Sequence, residues 1–330
     1  KLKNKKKNKF KFDTTILISI KNRPLYTIRA LRYLESINCK YPIVIGDGSI
    51  KKKRLSNYFD IKNLKNLKIK YLYNGLDANY HSFFKKNLKI LELVKTKYCL
   101  FIPDDDFYNI KLIGHMQKIL DKDDTISCVN GITYNFVIYD KFYKNLSYQK
   151  IGGKMHNKGK QYNDNELFSD GNIFKRLKNA RLIYLFDSFH RTKNLKYIYK
   201  FCISNNFNNF VYLYLVKSFV INVLGKTVMI KKPFCLRQIN TQTNEGLNIH
   251  MMKRRNLKFL EIFKKIYISR LLKDLTKNFK INYLNKDKNF FLSNYIYNID
   301  KIINNHKNDL KSEKIKSTIF KMFFINQLKK

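Results

Sequence analysis

The sequence predicts an α/β fold with a mostly parallel central sheet, helices on both of its faces and a helical extension at the C-terminal end. Three observations predict it. Short β-branched and apolar runs alternate with amphipathic segments from residue 14 to about residue 130, the pattern of repeated strand–helix–strand units. Polar clusters close those runs at Lys21-Asn22-Arg23, Asp47-Gly48-Ser49 and Asp104-Asp105-Asp106. Finally, 44% of the residues are hydrophobic and 15% aromatic, with only 11 Gly and 4 Pro. That composition supplies a core and excludes disordered, collagen-like and Gly/Pro-rich chains.

The elements follow in order. TTILISI (14–20) is a strand that stops at KNRP, where Pro24 suits the first turn of a helix. The helix, 25–37, sets Leu25, Ile28, Leu31 and Leu34 on one face. A second strand, 41–46, ends in the Asp47-Gly48-Ser49 turn, a basic helical segment follows, and a third strand occupies 67–73. A helix at 79–96, a strand at 98–102, a helix at about 110–121 and a strand near 125–130 continue the alternation. Strands connected this way lie parallel, and their ligands sit beyond the carboxyl ends. The three polar clusters all fall there, so they are expected to converge.

The second half is less regular. Residues 140–180 are polar and rich in Gly and Asn and read as one long loop, of a length that often serves as a lid. ARLIYLF (180–186) reads as a strand, with helices after it to about 224. The longest apolar stretch, 210–225, is interrupted by Lys217 and Asn222. It falls short of the roughly 20 apolar residues of a spanning helix and reads as a buried one. KTVMI (226–230) and FCLRQI (234–239) read as a short hairpin. The expected organisation is a basic tail at 1–13, a domain at 14–250 divided near residue 130, and a basic helical region at 251–330.

Charge is the loudest feature: 67 Lys+Arg against 24 Asp+Glu, a formal net charge of +43. Only 11 of the basic residues are Arg, whereas surfaces that read bases and phosphates favour Arg for its bidentate fork. The excess is Lys spread along the chain, together with abundant Asn, Ile, Tyr and Phe, as a genome with A/T-rich codons would produce. Nucleic acid is therefore not the expected partner, while peripheral contact with an anionic membrane is compatible with the charge. Five well-separated cysteines without a C-x-x-C, and no secretory leader in the basic start, point to reduced thiols in a cytoplasmic protein. Six His without zinc spacing disfavour a zinc hydrolase, and no G-x-G-x-x-G or G-x-x-x-x-G-K-[ST] occurs.

Against that background three consecutive carboxylates stand out. Adjacent like charges raise one another's pKa unless a cation neutralises them, and hard oxygens favour Mg2+ or Mn2+, ions that commonly bridge to nucleotide phosphates. A bare Asp triplet also reads as one helix cap and two solvated carboxylates. Its place at the end of the fourth strand gives the metal reading precedence.

TILISIKNRP, IVIGDGS and KNLKILELVKTKYCLFIPDDDF together resemble the GT-A core of family 2-type glycosyltransferases, more narrowly a bacterial subgroup with a DGS turn and a DDD form of the D-x-D motif. FDSFHRT and GKTVMIKKPFCLRQ are similar to later segments of that subgroup, so the resemblance covers about residues 14–240. It implies metal-dependent, inverting transfer of a sugar from a nucleotide-diphosphate sugar to a glycan or lipid-linked acceptor, in bacterial surface-polysaccharide synthesis at the cytoplasmic side. Residues 14–130 would be the nucleotide-binding half and 131–250 the acceptor-side half.

The resemblance puts Asn22 and Arg23 beside the nucleoside and Asp47 on base or ribose. Asp104 and Asp106 become the outer residues of the motif that holds Mn2+ or Mg2+, Asp104 also lying near the ribose. Two departures matter: relatives carry an acidic pair before the Gly-Ser turn where this chain has Gly46, and the stretch matching their catalytic-acid helix, NNFNNFVYLYLV, has no carboxylate. An inverting reaction still needs a carboxylate to take the acceptor's proton. Asp187 is the first candidate, followed by Asp170, Glu166 and Asp164. Arg191 is a candidate for holding the diphosphate, and His250 for a late metal ligand. The competing readings are a nucleotidyl or phosphoryl transferase using the same carboxylates, or a basic binding protein in which the triplet is incidental.

Overall fold

The computed structural model describes residues 13–139, 154–160, 172–178, 188–238 and 262–279. Nine strands among these residues form one sheet: β1 (Thr14–Ile20), β2 (Ile43–Asp47), β3 (Ile69–Tyr73), β4 (Tyr98–Phe101), β5 (Phe107–Tyr108), β6 (Ile126–Tyr139), β7 (Lys154–Lys160), β8 (Phe189–Arg191) and β9 (Lys226–Gln238). Their order is β3-β2-β1-β4-β8-β6-β9-β5, with β7 paired to β6. The pairs β3–β2, β2–β1, β1–β4 and β6–β9 are parallel. β8 runs against both β4 and β6, so β1 to β4, β6 and β9 all share one direction. The sheet is mostly parallel by strand direction, as expected.

Helices cover both faces. α1 (Pro24–Ser36) and α3 (Ile113–Lys122) lie on one, and α2 (Tyr80–Glu92), α5 (Thr192–Ser204), α6 (Phe210–Leu224) and α7 (Ile268–Phe279) on the other; α4 (Ile173–Lys178) packs beside α6. The pleat sorts β1 between these cores. Ile16, Ile18 and Ile20 join Leu31, Leu34, Met116 and Leu120, while Leu17 joins Phe84, Ile90 and Val216. α6 is apolar around most of its circumference and deeply buried. No helix among the described residues is long and apolar enough to cross a membrane.

Four expectations change. The basic segment after β2 is three short 3-10 turns at 51–53, 55–57 and 61–63 rather than an α-helix, in keeping with its run of like charges and its sparse apolar positions. The region read as a loop contains β7 and α4. The expected hairpin at 226–239 is one strand: Lys231, Lys232 and Pro233 form an irregularity, where β6 shifts register on both sides of Ile132. A Cβ on Gly131 would stand 2.4 Å from Phe234 Cβ, the close approach that such a bulge demands of a glycine. α2 ends at Glu92, earlier than expected. The expected strand at 180–186 lies outside the described residues.

Candidate active site

The carboxyl ends of β1, β2 and β4 carry the three clusters, and the structure joins them. Asn22 takes φ +60, a left-handed conformation that Asn tolerates better than most residues. Its backbone N–H donates to Ser49 Oγ at 2.7 Å, and its Oδ1 accepts from Ile50 N at 3.0 Å. The next residue turns the other way. Arg23 Nη1 lies 3.2 Å from Asp104 Oδ1, and Nη2 donates to Asp105 Oδ2 at 2.7 Å. One dipeptide therefore ties the Asp47-Gly48-Ser49 turn to the aspartate triplet. Pro24 follows at once and starts α1, which fixes the direction of the turn.

The triplet is buried, each residue about 4% exposed, and guanidinium groups surround it. Arg29 Nη2 donates to the Asp105 carbonyl at 2.7 Å while its guanidinium lies over the rings of Tyr26 and Phe107. Gln238 N donates to Asp106 Oδ1 at 2.9 Å, and Arg237 Nε lies 3.7 Å from Asp106 Oδ2. Burial, reinforced by Asp105 and opposed by the arginines, raises the Asp104 carboxyl to about 6 and the Asp106 carboxyl to about 8. Around Arg23, burial opposes the charge, yet Asp104 and Asp105 together hold its pKa above the ordinary value.

Asp104 and Asp106 offer hard oxygens one residue apart, and no group of three or more His, Cys, Asp or Glu among the described residues encloses a metal. That donor set fits a Mg2+-like ion held by one or two carboxylates that completes its shell with waters and substrate phosphates. It does not fit a metal caged by protein alone.

Asp47 is placed differently from expectation. It is 0% exposed; Oδ1 accepts from Ser49 N at 2.8 Å, and Oδ2 from Leu55 N at 3.0 Å and Tyr71 Oη at 2.7 Å. Its oxygens organise the loop after β2. Arg191 is also relocated. β8 pairs Arg191 with Tyr98 at the amino end of β4, and its guanidinium donates to the carbonyls of Ile126, Leu120 and Asp123. It clasps the end of the sheet opposite the triplet, so the diphosphate role passes from it. Asp187, Asp170, Glu166, Asp164 and His250 lie outside the described residues. β8 itself starts on the triplet's side of the sheet, since Phe189 pairs with Leu100 and Arg191 with Tyr98.

Two buried groups escaped the sequence reading. Asp77, after β3, pairs with Lys86 of α2, and Lys86 Nζ also donates to the Ile20 carbonyl at 2.8 Å. Asp77 N donates to the Gly48 carbonyl at 2.9 Å. The strand-end rule that found the other acids could have found Asp77; nothing distinguished Lys86 from a surface lysine. Gly46 now has a physical account: a Cβ there would meet Ile90 Cγ2 at 2.8 Å and Lys86 Cγ at 3.3 Å. α2 packs where an acidic side chain would need to start. A cavity of about 450 Å3 between the end of α1 and α3, lined by Lys40, Tyr41 and His115 among others, includes none of these residues.

No family profile and no curated protein sequence matches the chain. Among solved structures, S. aureus TarS 1-349 superposes with a TM-score of 0.52 at 13% identity, covering 95% of this chain and 78% of that one. TarS 1-349 in complex with UDP-GlcNAc gives 0.51 at 13% identity over the same shares. The fold is GT-A-like. The carboxyl-end cluster of this GT-A-like sheet is thus its candidate active site, built from Asn22, Arg23, Asp104, Asp105, Asp106 and Arg237.

Proposed function

We propose that the chain is a nucleotide-sugar-dependent glycosyltransferase whose donor sits over the carboxyl ends of β1, β2 and β4. The observation that carries this reading is the junction made by Asn22 and Arg23, which brings the carboxyl-end turn after β2 against buried carboxylates suited to a cation on a diphosphate. The TarS complex with UDP-GlcNAc makes UDP-GlcNAc the first donor to test. A divalent cation, when bound, supplies Lewis-acid stabilisation of the leaving diphosphate. Asp106 would hold it, and Asp104, fixed by Arg23, would face the ribose.

The charges favour metal dependence. Burial and mutual repulsion raise the Asp104 and Asp106 carboxyls, and a bound cation would favour their ionised forms, so the site gains by taking the diphosphate together with a metal. The acceptor is a glycan or lipid-linked sugar of a bacterial surface polymer, attacked with inversion. Asp187 is the first candidate to accept the hydroxyl proton, because the chain enters β8 from the side of the sheet where the triplet lies, and Asp170 is the second.

Calorimetric titration with UDP and UDP-GlcNAc, with and without Mn2+, tests the reading. Binding should require the cation, and Asp106→Ala should abolish it while the ligand-free chain still unfolds cooperatively. A chain that ignores every nucleoside diphosphate in the presence of Mn2+ is not this enzyme.

A further inference from the structure

The cavity of about 450 Å3 between the end of α1 and α3 has no part in the donor site. Lys40 and Tyr41 on one of its walls precede β2, so they stand at the amino ends of the parallel strands. The triplet lies beyond the carboxyl end of β4, at the other end of the sheet. The second wall is a single stripe. Lys111, Gly114, His115 and Lys118 recur at the three- and four-residue spacing that sets helical side chains on one face, Lys111 lying in the 3-10 turn that runs into α3.

Three lysines and a histidine thus converge, and among the described residues no Asp or Glu lines the cavity. A concave site whose lining carries one sign of charge concentrates positive potential and draws anions. The closing carbonyls of α1 do not oppose this, because those of Tyr33, Leu34 and Glu35 already accept backbone N–H groups. Lysine suits the task, as a point charge on a flexible stem that follows a phosphate rather than a planar fork.

Gly114 shapes the site. Its φ is not positive, so the backbone makes no demand for glycine, and glycine within a helix is destabilising relative to alanine. Tyr41 reaches this point, 6% exposed and hydrogen-bonded to the Gly114 backbone. The notch left by the missing side chain gives the cavity a floor of tyrosine and bare helix backbone, flanked by ammonium groups. Its volume falls within the range of small-molecule sites, roughly 300–1,000 Å3.

We propose that this cavity is a second ligand site, which binds a small phosphate ester: Lys40, Lys111 and Lys118 hold the phosphate, and the organic body packs on Tyr41 and Gly114. The inference is independent of the glycosyltransferase reading, because no residue of the carboxyl-end cluster takes part in it.

The test follows the His115 ring resonance by NMR while the histidine-labelled chain is titrated with glucose 6-phosphate, AMP and inorganic phosphate. Divalent cations are left out, and the ionic strength is held at about 0.15 M. The resonance should shift to saturation, at lower concentration for at least one ester than for inorganic phosphate. Lys111→Gln/Lys118→Gln should weaken that binding at least about tenfold. Lys193→Gln/Lys200→Gln removes equal charge from exposed positions of α5 and should leave the affinity unchanged. Gly114→Leu should block the site; should it fail to fold, the lysine pairs carry the comparison. A shift that never saturates, or equal weakening by both lysine pairs, would mean that only the net charge of +43 attracts the anion, and overturns the inference. Esters that bind no more tightly than phosphate overturn it too. Phosphatidylglycerol vesicles form the last arm: vesicle binding lost only in Lys111→Gln/Lys118→Gln, with no saturable ester site, would give the cavity to a membrane surface and overturn the small-molecule assignment.

Discussion

At the scale of single residues, the buried carboxylates divide by what satisfies them. Asp47 is met by two backbone N–H groups and a tyrosine hydroxyl, which occupy three of a carboxylate's four or so acceptor sites and tie it to the loop. The triplet is met mainly by guanidinium side chains, with one backbone N–H on Asp106. Removing Asp47 should therefore cost stability and spare recognition. Asp47→Ala orphans three donors, at about 1–3 kcal/mol for each one left buried and unpaired, while Asp47→Asn keeps an acceptor and should cost less. Urea unfolding should rank wild type above Asn above Ala, and UDP affinity in Asp47→Asn should match wild type. A selective loss of UDP binding in a fully stable Asn variant would return Asp47 to the base or ribose.

At the scale of elements, β2, its turn and α2 form one wedge. Gly48 is the point where they meet, because a Cβ there would lie 2.2 Å from the Asp77 carboxyl. That carboxylate cannot simply rotate away, being paired with Lys86, which also holds the Ile20 carbonyl. Gly48→Ala should destabilise by about 1–3 kcal/mol, the range for overpacking. In Gly48→Ala/Asp77→Ala the steric share should be relieved, so the double variant should be less unstable than the two single losses summed. Strict additivity in thermal or urea unfolding would show that the contact is not what constrains the glycine.

The same scale explains what the sequence made legible. β1 emerges at its expected bounds, Thr14–Ile20, because a β-branched run stops at polar residues and Pro24. The Asp triplet was legible because acids are rare in this chain and these three end a strand. β7, KMHNKGK, has no apolar alternation to betray it; its place comes from a backbone ladder with β6. The break in β9 looked like a turn because Lys-Lys-Pro is turn chemistry, and only its pairing with β6 converts it to a bulge. Arg237, Asp77 and Lys86 matter through partners 131, 9 and 66 positions away, and local patterns carry little information about such approaches.

At the scale of the whole molecule, the net charge of +43 says less about stability than one buried lysine. A charge count by itself sets no pH slope; a difference in bound protons between folded and unfolded chains does. Lys217 of α6 is 4% exposed, and burial lowers its pKa from the ordinary value to about 7, with Cys128 and Cys99 acting weakly in the other direction. Below pH 7 both states hold the proton, and the fold bears the cost of a buried charge. Above it the folded chain releases the proton while the unfolded chain keeps it until its ordinary pKa. The unfolded state then binds more protons, and stability should rise with pH by about 1.4 kcal/mol per unit. The buried thiols of Cys99 and Cys128, pushed up to about 12, act oppositely once unfolded thiols ionise, near pH 9, and the Asp106 carboxyl, raised to about 8, opposes the lysine between pH 7 and 8, so the lysine's share is isolated by comparing two chains that differ only there, between pH 7 and 9. Lys217→Met fills the same space without a charge. In urea unfolding it should exceed wild type most at pH 7 and lose that advantage steadily toward pH 9. Two parallel stability profiles across that window would mean that Lys217 stays protonated in the folded core, and that this helix buries its charge at a cost the rest of the fold must offset.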